Sequence, residues 1–238
     1  MLGWRARIGY ICPSVFEMIA YDFYRIVPPG VALVGVTCMI EGWRGDAYQK
    51  GLEALEECTR ELARRKCDYI IHAGVPLVVS QRIGFEREVI TKIESVTGVP
   101  ATTSIVAGME ALRALSVERV GLVNPYPADL NDAVLTFLNR NGFSVRAVVS
   151  LGADFTRIGD VSEADVYAAA KKALKEAPDI EGLYLPCPQF PVVDVIDAIE
   201  ADFGLPVVGH LPSEIWAALK TLDIRGPVSG FGRLLSSL

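Results

Sequence analysis

The chain contains few residues whose type and place point to chemistry. Of five cysteines, at positions 12, 38, 58, 67 and 187, only Cys187 sits where an apolar run, "GLYLPC" at 182–187, should end and open onto a cleft. Proline flanks it on both sides. A thiol in that place can give or take a proton; the competing reading is a small apolar residue packed in a core. Packing suits Cys38, Cys58 within a helix pattern, Cys67 at a strand entrance, and Cys12 near another strand end. For Cys187 chemistry is the favoured reading. A strand end just ahead of a helix N-terminus predicts a lowered thiol pKa. His72 and His210 are the only histidines, too few for a catalytic zinc site without carboxylate help, so no metal is expected. His72 reads as a hydrogen-bonded core residue. His210 ends a strand before "LPSE" and is an acid/base or substrate-binding candidate, while Ser213, with Glu214 after it, reads as a helix cap. No GxGxxG, Walker A or GxSxG pattern occurs, so no nucleotide cofactor is expected.

The elements that must position these residues alternate along the chain. With 238 residues and 51% apolar content, a sizeable core is within reach. The apolar residues fall in short runs such as "IGYIC", "VALVGVTCMI", "YIIHAGVPLVV", "VGLVN" and "VRAVVSL". Each is too short or too interrupted by Gly and Pro to span a bilayer. Such runs read as strands covered on both faces of a parallel sheet. Between them, residues 45–66 place Leu52, Leu55 and Leu62 on one helical face. Residues 127–141 do the same with Leu130, Ala133, Val134, Phe137 and Leu138, and Gly142 is the stop. Ser162 of "SEAD" is the expected N-cap of a further helix.

These elements repeat. "IGYICP" at 8–13 returns as "VGLVNP" at 120–125, and "ALVGVTCM" from 32 as "SVRAVVSL" from 144, each 112 residues on. "YIIHAGVP" from 69 falls opposite "GLYLPCPQ" from 182, and "GVPATTS" from 98 opposite "GLPVVGH" from 204, at spacings of 113 and 106. Four matches in the same order predict two similar Rossmann-like α/β lobes with parallel sheets, related by a pseudo-twofold. We assign residues 1–115 and 211–238 to the first lobe and 116–210 to the second. Parallel sheets bind ligands beyond the carboxyl ends of their strands. Ser14, Gly74, Tyr126 and Cys187 should therefore converge on one cleft between the lobes, with Gly74 as the repeat partner of Cys187.

The ordered set "IGYICPS", "CDYIIHAG", "RVGLVNPY", "LYLPC" and "GLPVVGHLPSEIW" resembles the cofactor-independent Asp/Glu racemase superfamily. The likeness is to its maleate cis-trans isomerase and arylmalonate decarboxylase branch. It implies an enzyme acting on a small carboxylate or dicarboxylate. Racemases and isomerases of that superfamily use two cysteines, one per lobe. A single cysteine facing a glycine, as Cys187 and Gly74 would be, looks like the decarboxylase arrangement, with Cys187 giving a proton to an enediolate. Tyr126 matches the family's cleft tyrosine by its place after "VNP". The family's hydroxyl and N–H groups after the glycine and the cysteine are replaced here by Val75, Pro76 and Pro188, and proline has no N–H. Ser14, Tyr126, Asn124, Gln189 and the N–H of Val75 are the remaining candidates to hold the anion. Alternatives are racemisation or cis-trans isomerisation with His72 or His210 as the second group, and an inactive carboxylate-binding protein.

A formal charge of −6 without a Lys/Arg stripe argues against nucleic acid; the basic "RRK" at 64–66 reads as a helix tail suited to the helix dipole. No signal-like segment or membrane span is read, so a cytoplasmic enzyme is expected. Free thiols fit that setting. A homo-oligomer is left open.

Overall fold

A computed structural model describes residues 2–40, 42–43 and 46–238. Met1, Glu41, Arg44 and Gly45 are outside the described residues, and Gly45 with them as the first residue of the helix expected over 45–66.

The chain runs β1 (Ala6–Cys12), α1 (Glu17–Ile26), β2 (Val31–Thr37), α2 (Asp46–Arg64), β3 (Tyr69–His72), α3 (Val75–Val79), α4 (Phe85–Thr97), β4 (Ala101–Thr103) and α5 (Ser104–Ala114). It continues β5 (Arg119–Asn124), α6 (Asn131–Arg140), β6 (Ser144–Ser150), α7 (Glu163–Glu176), β7 (Gly182–Leu185), α8 (Ile196–Phe203), β8 (Val207–Gly209), α9 (His210–Thr221) and α10 (Arg233–Ser236). The strands form two parallel four-stranded sheets, ordered β2-β1-β3-β4 and β6-β5-β7-β8. Each strand of the first sheet has its repeat partner at the same place in the second, so the internal duplication is one of topology.

Strand β1 shows why the runs were apolar throughout. Ile8 and Tyr10 point into a core continuous with the second sheet, while Ile11 joins a smaller cluster under α2 and α4 with Leu55, Leu62, Ile70, Val89 and Ile93. Both faces are covered, and each fully buried aliphatic side chain contributes about 1.5–3 kcal/mol. Cys38, Cys58 and Cys67 belong to that smaller cluster, in keeping with a packing role. Ser162 caps α7, accepting the Asp165 N–H at 3.1 Å.

Two expectations are corrected. "YIIHAGVPLVV" is not one extended run: β3 stops at His72 and residues 75–79 form α3. Gly74 turns the chain at φ +106°, and Pro76 supplies a φ suited to the first helical turn. Ser213 is not a cap, because α9 begins three residues earlier, behind Gly209, and Ser213 donates to the His210 carbonyl at 2.7 Å.

Candidate active site

The carboxyl ends of β1 and β3 in the first lobe and of β5 and β7 in the second carry loops that surround one narrow cleft. Its walls include Pro13, Ser14, Gly74, Pro76, Tyr126, Cys187, Pro188 and Gln189, joined by Ile40, Trp43, Tyr48, Leu77, Phe155 and Ile158. Ser14, Gly74, Tyr126, Cys187 and Gln189 are thus brought together as the strand ends predicted. Val75, Asn124, His72 and His210 do not line the cleft.

Cys187 and Gly74 share a backbone conformation as well as a wall. Cys187 has φ +112° and Gly74 φ +106°, so the repeat extends to a left-handed turn in which only one partner is glycine. A side chain held at such a φ costs roughly 1–3 kcal/mol. The turn is fastened by the Cys187 N–H donating to His210 Nδ1 at 3.0 Å and by the Phe190 N–H donating to the Cys187 carbonyl at 3.2 Å. Cys187→Gly is therefore expected to be more stable than Cys187→Ala by about 1 kcal/mol, the reverse of the usual order away from turns. Urea unfolding of the two variants measures the difference, and an alanine variant at least as stable as the glycine one would show an unstrained turn.

The thiol is buried, and burial pushes its pKa up to about 12, against smaller lowering contributions from the N–H groups of Gln189 and Phe190. The expected lowering is not found. Residues 188–190 are a turn, and the next α-helix, α8, starts only at Ile196. Desolvation outweighs these contributions. At neutral pH Cys187 is a protonated thiol. Cys12, buried too, is raised to about 12 for the same reason and donates to the Val15 carbonyl at 3.3 Å.

Tyr126 is fully buried, and its hydroxyl has no hydrogen-bond partner among the described residues. Trp43 Nε1 is likewise buried without one. The two rings meet edge to face at 5.2 Å, and Trp43 does the same with Phe155 at 4.9 Å. Buried donors left unpaired cost about 1–3 kcal/mol each, and two of them sharing a cleft point to an acceptor that arrives with a ligand. Among the described residues that line the cleft none is an Arg or Lys.

The remaining candidates act around the cleft. Asn124 Oδ1 accepts the Tyr126 N–H at 2.9 Å, and its Nδ2 donates to Asn131 Oδ1 at 2.9 Å. It holds the turn that presents Tyr126. Gln189 Oε1 accepts the Met18 N–H of α1 at 3.2 Å, a tie between the lobes at the cleft's edge. Val75 opens α3, where its N–H has no intrahelical acceptor. His72 is buried in the core, its Nδ1 lacks a partner among the described residues, and burial lowers its pKa to about 4.

Sequence reasoning missed Trp43 and Glu214. Trp43 lies in an irregular segment, but the repeat spacing of 112 sets it opposite Phe155, just as it sets Ser14 opposite Tyr126. Glu214 is the one acidic residue in "HLPSEIWAAL", and such isolation was its only signal. It is fully buried and accepts from Tyr10 Oη at 2.7 Å and Ser104 Oγ at 2.5 Å. Among the described residues no group of three or more His, Cys, Asp or Glu side chains is placed to hold a metal, and no helix is long and apolar enough to cross a membrane.

Comparison with known proteins agrees with this fold. A family model described as arylmalonate decarboxylase matches residues 8–235. The arylmalonate decarboxylase of Bordetella bronchiseptica is 27% identical over 235 residues, 95% of each chain. The solved structure of an unliganded arylmalonate decarboxylase superposes with a TM-score of 0.87 at 26% identity, covering 98% of this chain and 100% of that one. A cysteine-to-serine mutant of the Nocardia farcinica maleate cis-trans isomerase, holding a covalent succinylcysteine intermediate, gives a TM-score of 0.86 at 26% identity, with coverage of 98% and 99%.

Proposed function

Because this chain belongs to the arylmalonate decarboxylase family, and so is an enzyme, we propose that it decarboxylates a malonate bearing an apolar substituent, with Cys187 as the proton donor. The observation that supports this most is the pairing of one protonated thiol with a glycine at its repeat position, both on the wall of one apolar cleft.

In this reading the Tyr126 hydroxyl, the Ser14 hydroxyl and Trp43 Nε1–H bind the retained carboxylate. The second carboxylate is left among apolar walls, where a charge is poorly solvated and loss of CO₂ removes it. The C–C bond breaks with its electron pair passing to an enediolate, held by the same donors. Cys187 Sγ–H then protonates the α-carbon, and the thiolate regains a proton from water. Only one acid group is needed, on one face. Racemisation or cis-trans isomerisation through a histidine has less support. His210 is turned to the backbone of Cys187 on the same lobe, and His72 lies outside the cleft wall. Covalent addition, as in the isomerase with its succinylcysteine, calls for a thiolate, which a pKa of about 12 disfavours.

The test is CO₂ release from a panel of aryl- and alkyl-substituted malonates, with maleate and chiral 2-substituted acids in D₂O alongside. Malonate-dependent CO₂ and one solvent deuteron in the product are expected. Fumarate from maleate, or deuterium entering recovered chiral acid with no CO₂ formed, would replace the reading with an isomerase or a racemase. The pH profile gives a second check. A donor must carry its proton, so activity is present below its pKa and lost as pH rises through it. With that pKa near 12, kcat should stay flat across the ordinary thiol range, from about pH 7 to 10. A rise in kcat through pH 8–9 would mean that the thiolate is the reactive form.

A further inference from the structure

The Cys187 turn is held from outside the cleft. His210, the first residue of α9, uses Nδ1 to accept the Cys187 N–H at 3.0 Å. A ring nitrogen that accepts carries no proton, so the proton of the neutral imidazole sits on Nε2. That atom lies 3.0 Å from Glu214 Oε1, although not aligned as a directed hydrogen bond. Glu214 in turn accepts from Tyr10 on β1 and from Ser104, the first residue of α5. All four side chains are buried to within 2% of full coverage. Ser104 and His210 correspond in the internal repeat, 106 residues apart, and α5 packs against α9. Glu214 therefore joins the first lobe to the loop that carries the thiol in the second.

We propose that His210 and Glu214 are positioning residues for Cys187. Glu214, 3.0 Å from Nε2, favours the tautomer with its proton there, and the lone pair left on Nδ1 keeps the Cys187 turn in its left-handed conformation with Sγ on the cleft wall. The same bond occupies the Cys187 N–H, so that group does not serve the substrate. The inference rests on the reading of Cys187 as the proton donor, and it gives His210 a role different from binding the substrate.

The substitutions that separate the roles keep or remove the Nδ1 acceptor. His210→Asn places a carbonyl oxygen near the position of Nδ1, His210→Leu removes it, and His210→Gln moves it about one bond further out. With a substituted malonate, H210N should keep kcat within about threefold, whereas H210L and H210Q should lose at least roughly tenfold in kcat with KM nearly unchanged, as misplacement by a fraction of an ångström does. Should H210L not fold, H210Q carries the same expectation. Iodoacetamide alkylation, followed on the peptide containing Cys187, gives a readout free of turnover. It should be several-fold faster in H210L and H210Q than in the wild type and unchanged in H210N. Equal losses in H210N and H210L, or wild-type alkylation in all three, would overturn the assignment. A wild-type enzyme that releases CO₂ from no malonate would defeat the decarboxylase reading, while the alkylation order would still decide the positioning role.

Discussion

Cys187→Ala is expected to lower kcat on a substituted malonate by roughly 10³-fold or more, at the upper range of what one general acid contributes. The size follows from the composition of the cleft. Among the described residues Cys187 is the only thiol on the cleft wall, and Gly74 holds the corresponding place on the other lobe. The tyrosines on the same wall include Tyr126, whose phenol burial keeps far above neutrality. With the thiol gone, the enediolate has to wait for a proton from water. Cys187→Ser keeps the shape but offers a much weaker acid, and should fall nearly as far. Ligand affinity should hardly change, because the proposed carboxylate donors sit on Tyr126, Ser14 and Trp43. The measurement pairs turnover with calorimetric binding of the monoacid product. A variant that binds product normally and turns over at more than a tenth of the wild-type rate would remove the thiol from the mechanism.

The second large effect is at Tyr126. Its hydroxyl is buried without a partner among the described residues, so the fold gains no hydrogen bond from it. Tyr126→Phe should leave the melting temperature unchanged or raise it, since an unpaired buried hydroxyl costs about 1–3 kcal/mol. The same change should lower kcat/KM by roughly 10²–10³-fold, the usual loss of one anion-stabilising donor. The opposite signs make the experiment informative. A destabilised variant with full activity would mean that the hydroxyl serves the fold. The expected pair would mean that stability has been given up for a group whose partner is the substrate.

The fold was legible in the sequence because parallel strands covered on both faces have little freedom of composition. Ile8, Tyr10 and Ile11 are all fully buried although they point to different faces, so β1 had to be a continuous apolar run. Duplication then printed the pattern twice, and the spacing of 112 aligned Ser14 with Tyr126 as well as β1 with β5. Where the pattern failed, a local backbone requirement had overridden it. The apolar letters of residues 75–79 are equally at home in a strand or a short buried helix, and Gly74 with Pro76 decided for the helix. Trp43 lies where no periodicity operates, and it became visible only through its partner Phe155.

By itself the sequence determined the two-lobed architecture, the places of Cys187 and Gly74 on the wall of one cleft, and the loss of N–H donors at Pro76 and Pro188. These follow from residue type and spacing alone, which set strand burial, repeat register and donor inventory. The tertiary structure decided the state of the thiol. Its pKa depends on how much water reaches the sulfur and on which N–H groups lie beside it, and both depend on distances set by the packing of the two lobes. It also decided that His210 faces the Cys187 backbone and that Glu214 lies at the junction of the lobes. Hydrogen-bond partners 23 and 204 residues apart along the chain leave no periodic trace in sequence, because their geometry exists only once both sheets have closed around them.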